Sequence, residues 1–424
     1  MAPARHRRWI VAAAATLMQL ALGAVYAWSV FRAPLASALG ASVTQVNLAF
    51  TIANVTLGVA AFVGGLWLAR VGPRVVALTA GVLYGAGVAL AGVLGHHLAL
   101  LYLCYGVLGG AGIGLGYIVP LATLVKWFPD RRGLVTGVAV AGFGAGALVF
   151  GPLARALIDA HGPFVALEVL GALFLVIVLA AAIQLGDPPD GYRPPGWLPP
   201  ALAARAPAPD VGLRAALATW QWYALWLMLF LNVGAGISII AEAVPMAQEL
   251  TGADPARATA LVGAIALCNG AGRLVWAALS DRVGRRPVFA ALFLIQAAVF
   301  ALLPAAHGYR PFLALACACL LCYGGGFGTM PALVADYFGA RHVGRIYGLM
   351  LTAWSAGAVL GPLIVSHLRD ATGQYTRGLQ IIAVLMLGAA ILPIVLHAPH
   401  RAAAANRRFA RARRAARLTG DSWA

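Results

Sequence analysis

Apolar runs of about twenty residues, separated by short polar turns, recur along the whole chain, and each is long enough to cross a bilayer as an α-helix. The first runs from Trp9 to Phe31, followed by segments near 44–69, 75–94, 98–126, 134–157 and 163–185. From Gly186 to about Leu217 the pattern breaks into a stretch crowded with proline, which reads as a linker. Six more runs follow near 218–245, 257–280, 288–306, 311–338, 344–368 and 377–397. The pattern predicts an all-α polytopic membrane protein of twelve transmembrane helices. Its parts would be an amino-terminal bundle (1–185), a cytoplasmic linker (186–217), a carboxy-terminal bundle (218–397) and a basic cytoplasmic tail (398–424). Arg5-His6-Arg7-Arg8 and Ala36-Ser37-Ala38 imitate a signal peptide and its cleavage site. The run between them is too long for a signal core, typically about 7–15 residues, so it is expected to stay as the first span.

Charge orients the spans. With both termini and the linker on the cytoplasmic side, 23 Lys and Arg residues lie inside and 6 outside, which predicts both ends in the cytoplasm; a cell inner membrane is the expected location. That placement also accounts for the net charge of +17 without any nucleic acid. The seven arginines of the tail, Arg401 to Arg417, would face anionic lipid or simply complete the positive-inside bias.

The halves repeat. Gly72-Pro73-Arg74 corresponds to Gly284-Arg285-Arg286, Pro120 to Pro331, Gly133 to Gly344, and Ala145-Gly146-Ala147 to Ala356-Gly357-Ala358, all at offsets between 210 and 212. A six-span unit used twice in one orientation is the plan of two-bundle transporters, which hold substrate between the halves near the mid-plane.

Composition agrees: of 424 residues 62% are hydrophobic and 10% charged, with a mean hydropathy of +0.86. A soluble protein carries about 25% charged residues. The five cysteines all lie in apolar segments, and Cys319-x-x-Cys322 reads as small buried residues rather than a redox pair. Gly142-x-Gly144-x-x-Ala147 imitates a dinucleotide fingerprint but lies inside a span with no strand before it. With no phosphate loop, nucleophile–base pair or metal-ligand cluster in the sequence, neither enzymatic chemistry nor a cofactor or metal is expected.

One residue resists the apolar pattern. Arg273 sits within the eighth run, eight residues before Asp281, which opens the polar turn Asp281-Arg282-Val283-Gly284-Arg285-Arg286. At a rise of ~1.5 Å per residue it lies ~12 Å inside that surface, close to the middle of a core ~30 Å thick. A cation at that depth is costly and usually faces a polar cavity on a substrate or ion path. A snorkelling or structural arginine is the plainer reading; an anion site is the stronger one. Asn269, one turn earlier, shares its face.

Several motifs now carry a resemblance. Asp281-Arg282-x-Gly284-Arg285-Arg286 resembles the loop signature of the major facilitator superfamily, whose first-half copy is degraded here, with Ala69 where the acid would stand. Tyr26-Ala27-Trp28-Ser29-Val30-Phe31, Gly112 to Pro120, Lys126 to Gly133 and Gly142 to Gly146 resemble the oxalate/formate antiporter family, which includes bacterial relatives of the lactate and pyruvate carriers. The resemblance implies that fold, secondary transport of a small organic carboxylate anion by a monomer in the lipid bilayer, and Arg273 as the carboxylate-binding residue. A proton or a counter-anion would accompany the substrate.

Departures from the family refine the picture. Oxalate exchangers that this chain resembles carry a second cation, a lysine on span eleven, where this chain has Trp354; its only lysine is Lys126. One central cation suits one carboxylate, so a lactate- or pyruvate-like monocarboxylate is expected, the alternative being oxalate/formate exchange. Where animal-type monocarboxylate carriers have an aspartate implicated in proton coupling, this chain has Asn269, which can hydrogen-bond but cannot carry a proton. Glu168, Glu242 and Asp336 fall toward span ends and do not replace it. The repeat sets Trp354 opposite Phe143 and Arg273 opposite Phe62. Tyr323 and Phe327 share a face of span ten, Tyr117 lies near the middle of span four, and Tyr26 in the outer half of span one. Together these predict a pocket in which Asn269, Tyr117 and Tyr323 hydrogen-bond the substrate while Phe143, Phe327, Trp354 and Tyr26 wall it.

Overall fold

The computed structural model describes residues 2–189, 191–194 and 211–397. The basic tail and the middle of the linker lie outside the described residues. What is described is helical throughout, because a backbone in hydrocarbon must satisfy its N–H and C=O groups within its own segment.

The first half comprises α1 (Ala2–Leu22), α2 (Trp28–Leu39), α3 (Val43–Val71), α4 (Pro73–Leu94), α5 (Leu98–Leu101), α6 (Gly110–Trp127) and α7 (Arg132–Gln184). The second comprises α8 (Leu213–Leu217), α9 (Trp220–Thr251), α10 (Pro255–Val283), α11 (Arg285–Leu302), α12 (Tyr309–Phe338), α13 (Val343–Met350), α14 (Thr352–Thr372), α15 (Thr376–Ala389) and α16 (Ile391–Val395). Among the described residues eleven continuous helical stretches are long and apolar enough to cross a membrane. The twelfth crossing lies inside α7, which bends at Gly162 with φ 85°, a conformation that costs glycine nothing, ahead of Pro163. Both arms of that bend exceed the ~20 residues a crossing needs.

Other boundaries differ from the pattern for local reasons. The first span continues past Phe31 to Leu39, loosening into a 3₁₀ turn at Gly23–Ala27 that carries Tyr26. A π-helical stretch, Tyr102–Gly109, joins α5 to α6, where Gly106 lies against Ile52 and Gly109 against Gly87. Span eleven is broken at Leu351: the Thr352 hydroxyl donates to the Leu349 carbonyl at 2.7 Å and accepts from Trp226 Nε1 at 2.9 Å. Helix starts are capped where water meets the bilayer. Ser42 and Gln45 form a reciprocal capping box on α3, and Asp254 accepts from the Arg257 N–H on α10.

Close helix contact comes from small residues, as expected where no hydrophobic force drives apolar helices together in lipid. The halves meet along two seams. In one, α10 crosses α7; a methyl added at Gly144 would stand 3.1 Å from Gly270 Cα. In the other, α3 meets α13 and α14, with Gly65 against the Gly344 backbone and the Ser355 hydroxyl donating to the Asn54 carbonyl at 3.0 Å.

Candidate functional site: a buried arginine in an aromatic box

Arg273 is 1% exposed, on the face of α10 that looks across the seam. Gly144 lets α7 come close enough for that: its missing Cβ would lie 3.5 Å from both Cδ and Nε of the arginine. The guanidinium donates from Nε to Asn269 Oδ1 at 3.3 Å and from Nη1 to the backbone carbonyl of Val140, in the other half, at 3.0 Å. It also sits over two rings, Phe143 at 5.6 Å and Phe327 at 5.2 Å, one from each half.

Around the cation the aromatics expected from the sequence do come together. Phe143 meets Tyr26 at 5.4 Å, Tyr117 at 5.1 Å and Trp354 at 6.1 Å, each nearly edge-on. Trp354 in turn contacts Tyr117 at 5.7 Å and Phe327 at 5.3 Å, and Phe327 contacts Tyr323 at 5.3 Å. The symmetry mates Phe143 and Trp354 thus touch, and the box closes around the guanidinium from α6, α7, α12, α14 and the Tyr26 turn. Phe62, the counterpart of Arg273 in the repeat, brings no charge.

The polar lining is unsaturated. The hydroxyls of Tyr26, Tyr117 and Tyr323 are buried with no partner in normal hydrogen-bond geometry, and all three lie close to the guanidinium. A buried hydroxyl without a partner is expensive, so these groups, with the cation, make a site suited to an anion rich in acceptors. A fourth such hydroxyl, that of Tyr347 on α13, faces Tyr117 outside normal hydrogen-bond geometry. Sequence reasoning passed over Tyr347. Its signal was its spacing, seven residues before Trp354 and so on one face of the span.

Two amides fix the backbone beneath these rings in a matching way. Gln19 on α1 donates to the carbonyl of Tyr117 at 3.4 Å, and Asn232 on α9 donates to the carbonyl of Tyr323 at 3.1 Å. Both are fully buried, and each leaves its own amide oxygen unpaired. These are equivalent span pairs of the two halves. A small cavity of about 20 Å³ among Trp28, Tyr84, Tyr105 and Phe174 lies within the first half, away from the arginine.

At the end of the helices that carries Asp281 the seam is locked by charge. Both Asp281 oxygens accept backbone N–H groups at the start of α7, Gly133 at 3.0 Å and Leu134 at 2.8 Å, which a helix N-terminus leaves free. Arg285 reaches Asp281 at 2.5 Å and Asp336 at 3.2 Å, and Asp336 also binds Arg132 at 3.1 Å. Asp336, noted from the sequence only as a carboxylate near a span end, is the bridge between the halves. Gly284 takes φ 95° in this turn, as Gly72 takes φ 82° in the first-half copy. Arg286 turns away to cap α16, donating to the carbonyls of Pro393 and Ile394, and Arg282 is exposed.

With two helical halves and this site in view, the comparisons decide the family. The Major Facilitator Superfamily model matches residues 9–252 and 225–421. The chain belongs to that superfamily. It is therefore a multi-pass membrane transporter and not an enzyme. The oxalate:formate antiporter of Oxalobacter formigenes is 30% identical over 84% of this chain and 83% of that one. Monocarboxylate transporter 11 of Homo sapiens is 30% identical over 92% of this chain and 82% of that one. Among solved structures, the superfamily transporter FucP superposes with a TM-score of 0.72 at 17% identity, over 92% of this chain and 99% of that one. That likeness carries the fold.

Proposed function

We propose that this protein moves a small organic monocarboxylate, lactate- or pyruvate-like, across the inner membrane by alternating access, as a secondary transporter. Residues 1–185 and 218–397 are the two units that rock, residues 186–217 link them on the cytoplasmic side, and both termini lie in the cytoplasm. The observation that carries the reading is Arg273: one buried cation, ringed by aromatics from both halves and by unpartnered hydroxyls. Its fork matches a single carboxylate in two-pronged fashion. Asn269, Tyr117 and Tyr323 donate hydrogen bonds to the substrate, and Tyr26, Phe143, Phe327 and Trp354 bound its apolar part. The named activities of the relatives, oxalate:formate exchange and monocarboxylate transport, support the substrate class. Of these the monocarboxylate fits better, because Trp354 rather than a second cation faces Phe143. Asp281 and Asp336, with Arg285 and Arg132, form the inner gate, and either a proton or a counter-anion completes the cycle.

Uptake of labelled one- to six-carbon carboxylates by proteoliposomes, with and without a pH gradient, tests the reading. A monocarboxylate taken up by the native protein and not by Arg273→Gln is the expected result. Equal uptake by both would refute it.

A further inference from the structure

A carrier that binds an anion through a buried cation must deal with that cation on the leg when nothing is bound. If the guanidinium had no other partner, closing the empty site would strand a charge in the low-dielectric interior, which is strongly unfavourable. Only loaded carriers would then cross, and transport would be a strict exchange of one anion for another.

Here the chain supplies the substitute partners itself. The Val140 carbonyl, 3.0 Å from Nη1, belongs to the half opposite Arg273, so the bond that satisfies the cation also draws the halves together. Asn269 Oδ1 takes Nε from within α10. Phe143 and Phe327 offer a ring face from either side. These partners belong to the protein itself, so no second solute is needed to supply them. The ionisable groups that act on the guanidinium are the phenols Tyr26, Tyr117 and Tyr323; among the described residues no carboxylate joins them. The self-pairing is therefore through neutral acceptors, weaker than a carboxylate and able to yield to one.

We propose that the unloaded carrier closes on Arg273 through Val140 and Asn269 and returns across the membrane by itself, so that the protein carries out net transport and is not bound to exchange. The inference rests on the reading of Arg273 as the anion site and selects one of its two modes. A counter-anion is not required; the Val140–Arg273 bond stands in for it.

The test uses the full-length protein in liposomes loaded with radiolabelled L-lactate. Dilution into carboxylate-free buffer, with valinomycin and equal potassium on both sides to dissipate any charge, measures net efflux; dilution into the same buffer with unlabelled lactate measures exchange. Net efflux within about tenfold of exchange is expected, a difference of at most about 1.4 kcal/mol in barrier. Efflux only when external lactate is present would overturn the proposal. Asn269→Leu removes one of the substitute partners, so net efflux should fall further than exchange, which keeps the guanidinium paired with substrate on both legs. Gly144→Ala, whose methyl would stand 3.1 Å from Gly270 Cα, forces α7 and α10 slightly apart near Val140 and should change the ratio in the same direction without removing a polar group. An unaltered ratio in both variants would refute the role given to self-pairing. Failure of the native protein to move lactate in either mode would instead remove the substrate assignment, and this inference with it.

Discussion

Trp354 and Phe143, equivalent positions of the two repeats, meet edge to face with ring centroids 6.1 Å apart and planes at 81°. One comes from each half, so the substrate's apolar part would be gripped between surfaces that separate when the carrier opens. Trp354→Ala should enlarge the box and favour longer or branched acids, with a loss of about 3–5 kcal/mol in stability from the cavity. Substrate ranking and thermal stability measured on the same variant check this; lower stability with an unchanged ranking would make Trp354 a packing residue alone.

Arg273→Lys should lose most transport, and Arg273→Gln all of it, while both remain folded. A lysine can place a charge near the substrate but cannot grip a carboxylate with two parallel donors. Binding by isothermal calorimetry on the purified variants gives the comparison. Full-rate monocarboxylate transport by the glutamine variant would end the assignment.

The single cation also orders the substrates. Oxalate should compete poorly against lactate, since its second carboxylate would face Trp354 and Phe143 with no positive partner. A tenfold preference for oxalate over every monocarboxylate, about 1.4 kcal/mol, would restore the oxalate-exchanger reading.

Much of this was legible in the chain. Arg273 stood out because a charge interrupts an apolar run, Asn269 because four residues make one helical turn, and the Trp354–Phe143 contact because the repeat offset placed them at one depth. What escaped notice has a common physical cause. The Val140 carbonyl is a backbone acceptor, and no side chain announces it. Tyr347 is a tyrosine in an apolar span, where packing is the ordinary explanation. The pairing of Arg132 with Asp336 joins residues 204 apart in sequence, and neither carries a local sign of its partner. The twelve spans were readable from hydropathy, and they include the two arms of α7, which part at Gly162 where a positive φ turns the chain between them.

Gln19→Leu and Asn232→Leu should each cost no more than about 0.6–2 kcal/mol in stability, the range for hydrogen bonds between membrane helices. Each change also removes a buried amide oxygen that has no partner, which offsets part of the loss. Apparent affinity for the substrate should fall more than stability does, because the amides steady the backbone of Tyr117 and Tyr323. The two residues lie in different halves, so their effects on stability should add. Denaturation and transport kinetics of the single and double variants decide the matter.

Asp281→Asn should open this end of the seam more often. The carboxylate holds two helix-terminal N–H groups and Arg285 at once, and exposure to solvent limits its worth to about 1 kcal/mol, several-fold in population. Spin labels at the exposed positions Arg131 and Arg282 would report a longer separation in the variant. An identical distance distribution would show that the lock lies elsewhere.

At this gate the Asp281 and Asp336 contacts fasten the halves along one seam. Where α7 meets α10 and α12, two carboxylates and two arginines bind the halves; where α3 meets α13, Ala69 leaves the first-half turn without its acid, and Gly65 lies against the backbones of Gly344 and Arg345. A door fastened along one edge swings from the other. Water and a departing anion would enter and leave along the edge that Asp281 and Asp336 fasten, once it parts, while the close contact of Gly65 with Gly344 and Arg345 serves as the hinge. In that arrangement a bulky residue at Gly344 disturbs the hinge, and the carrier's exit path is offset from its axis of symmetry.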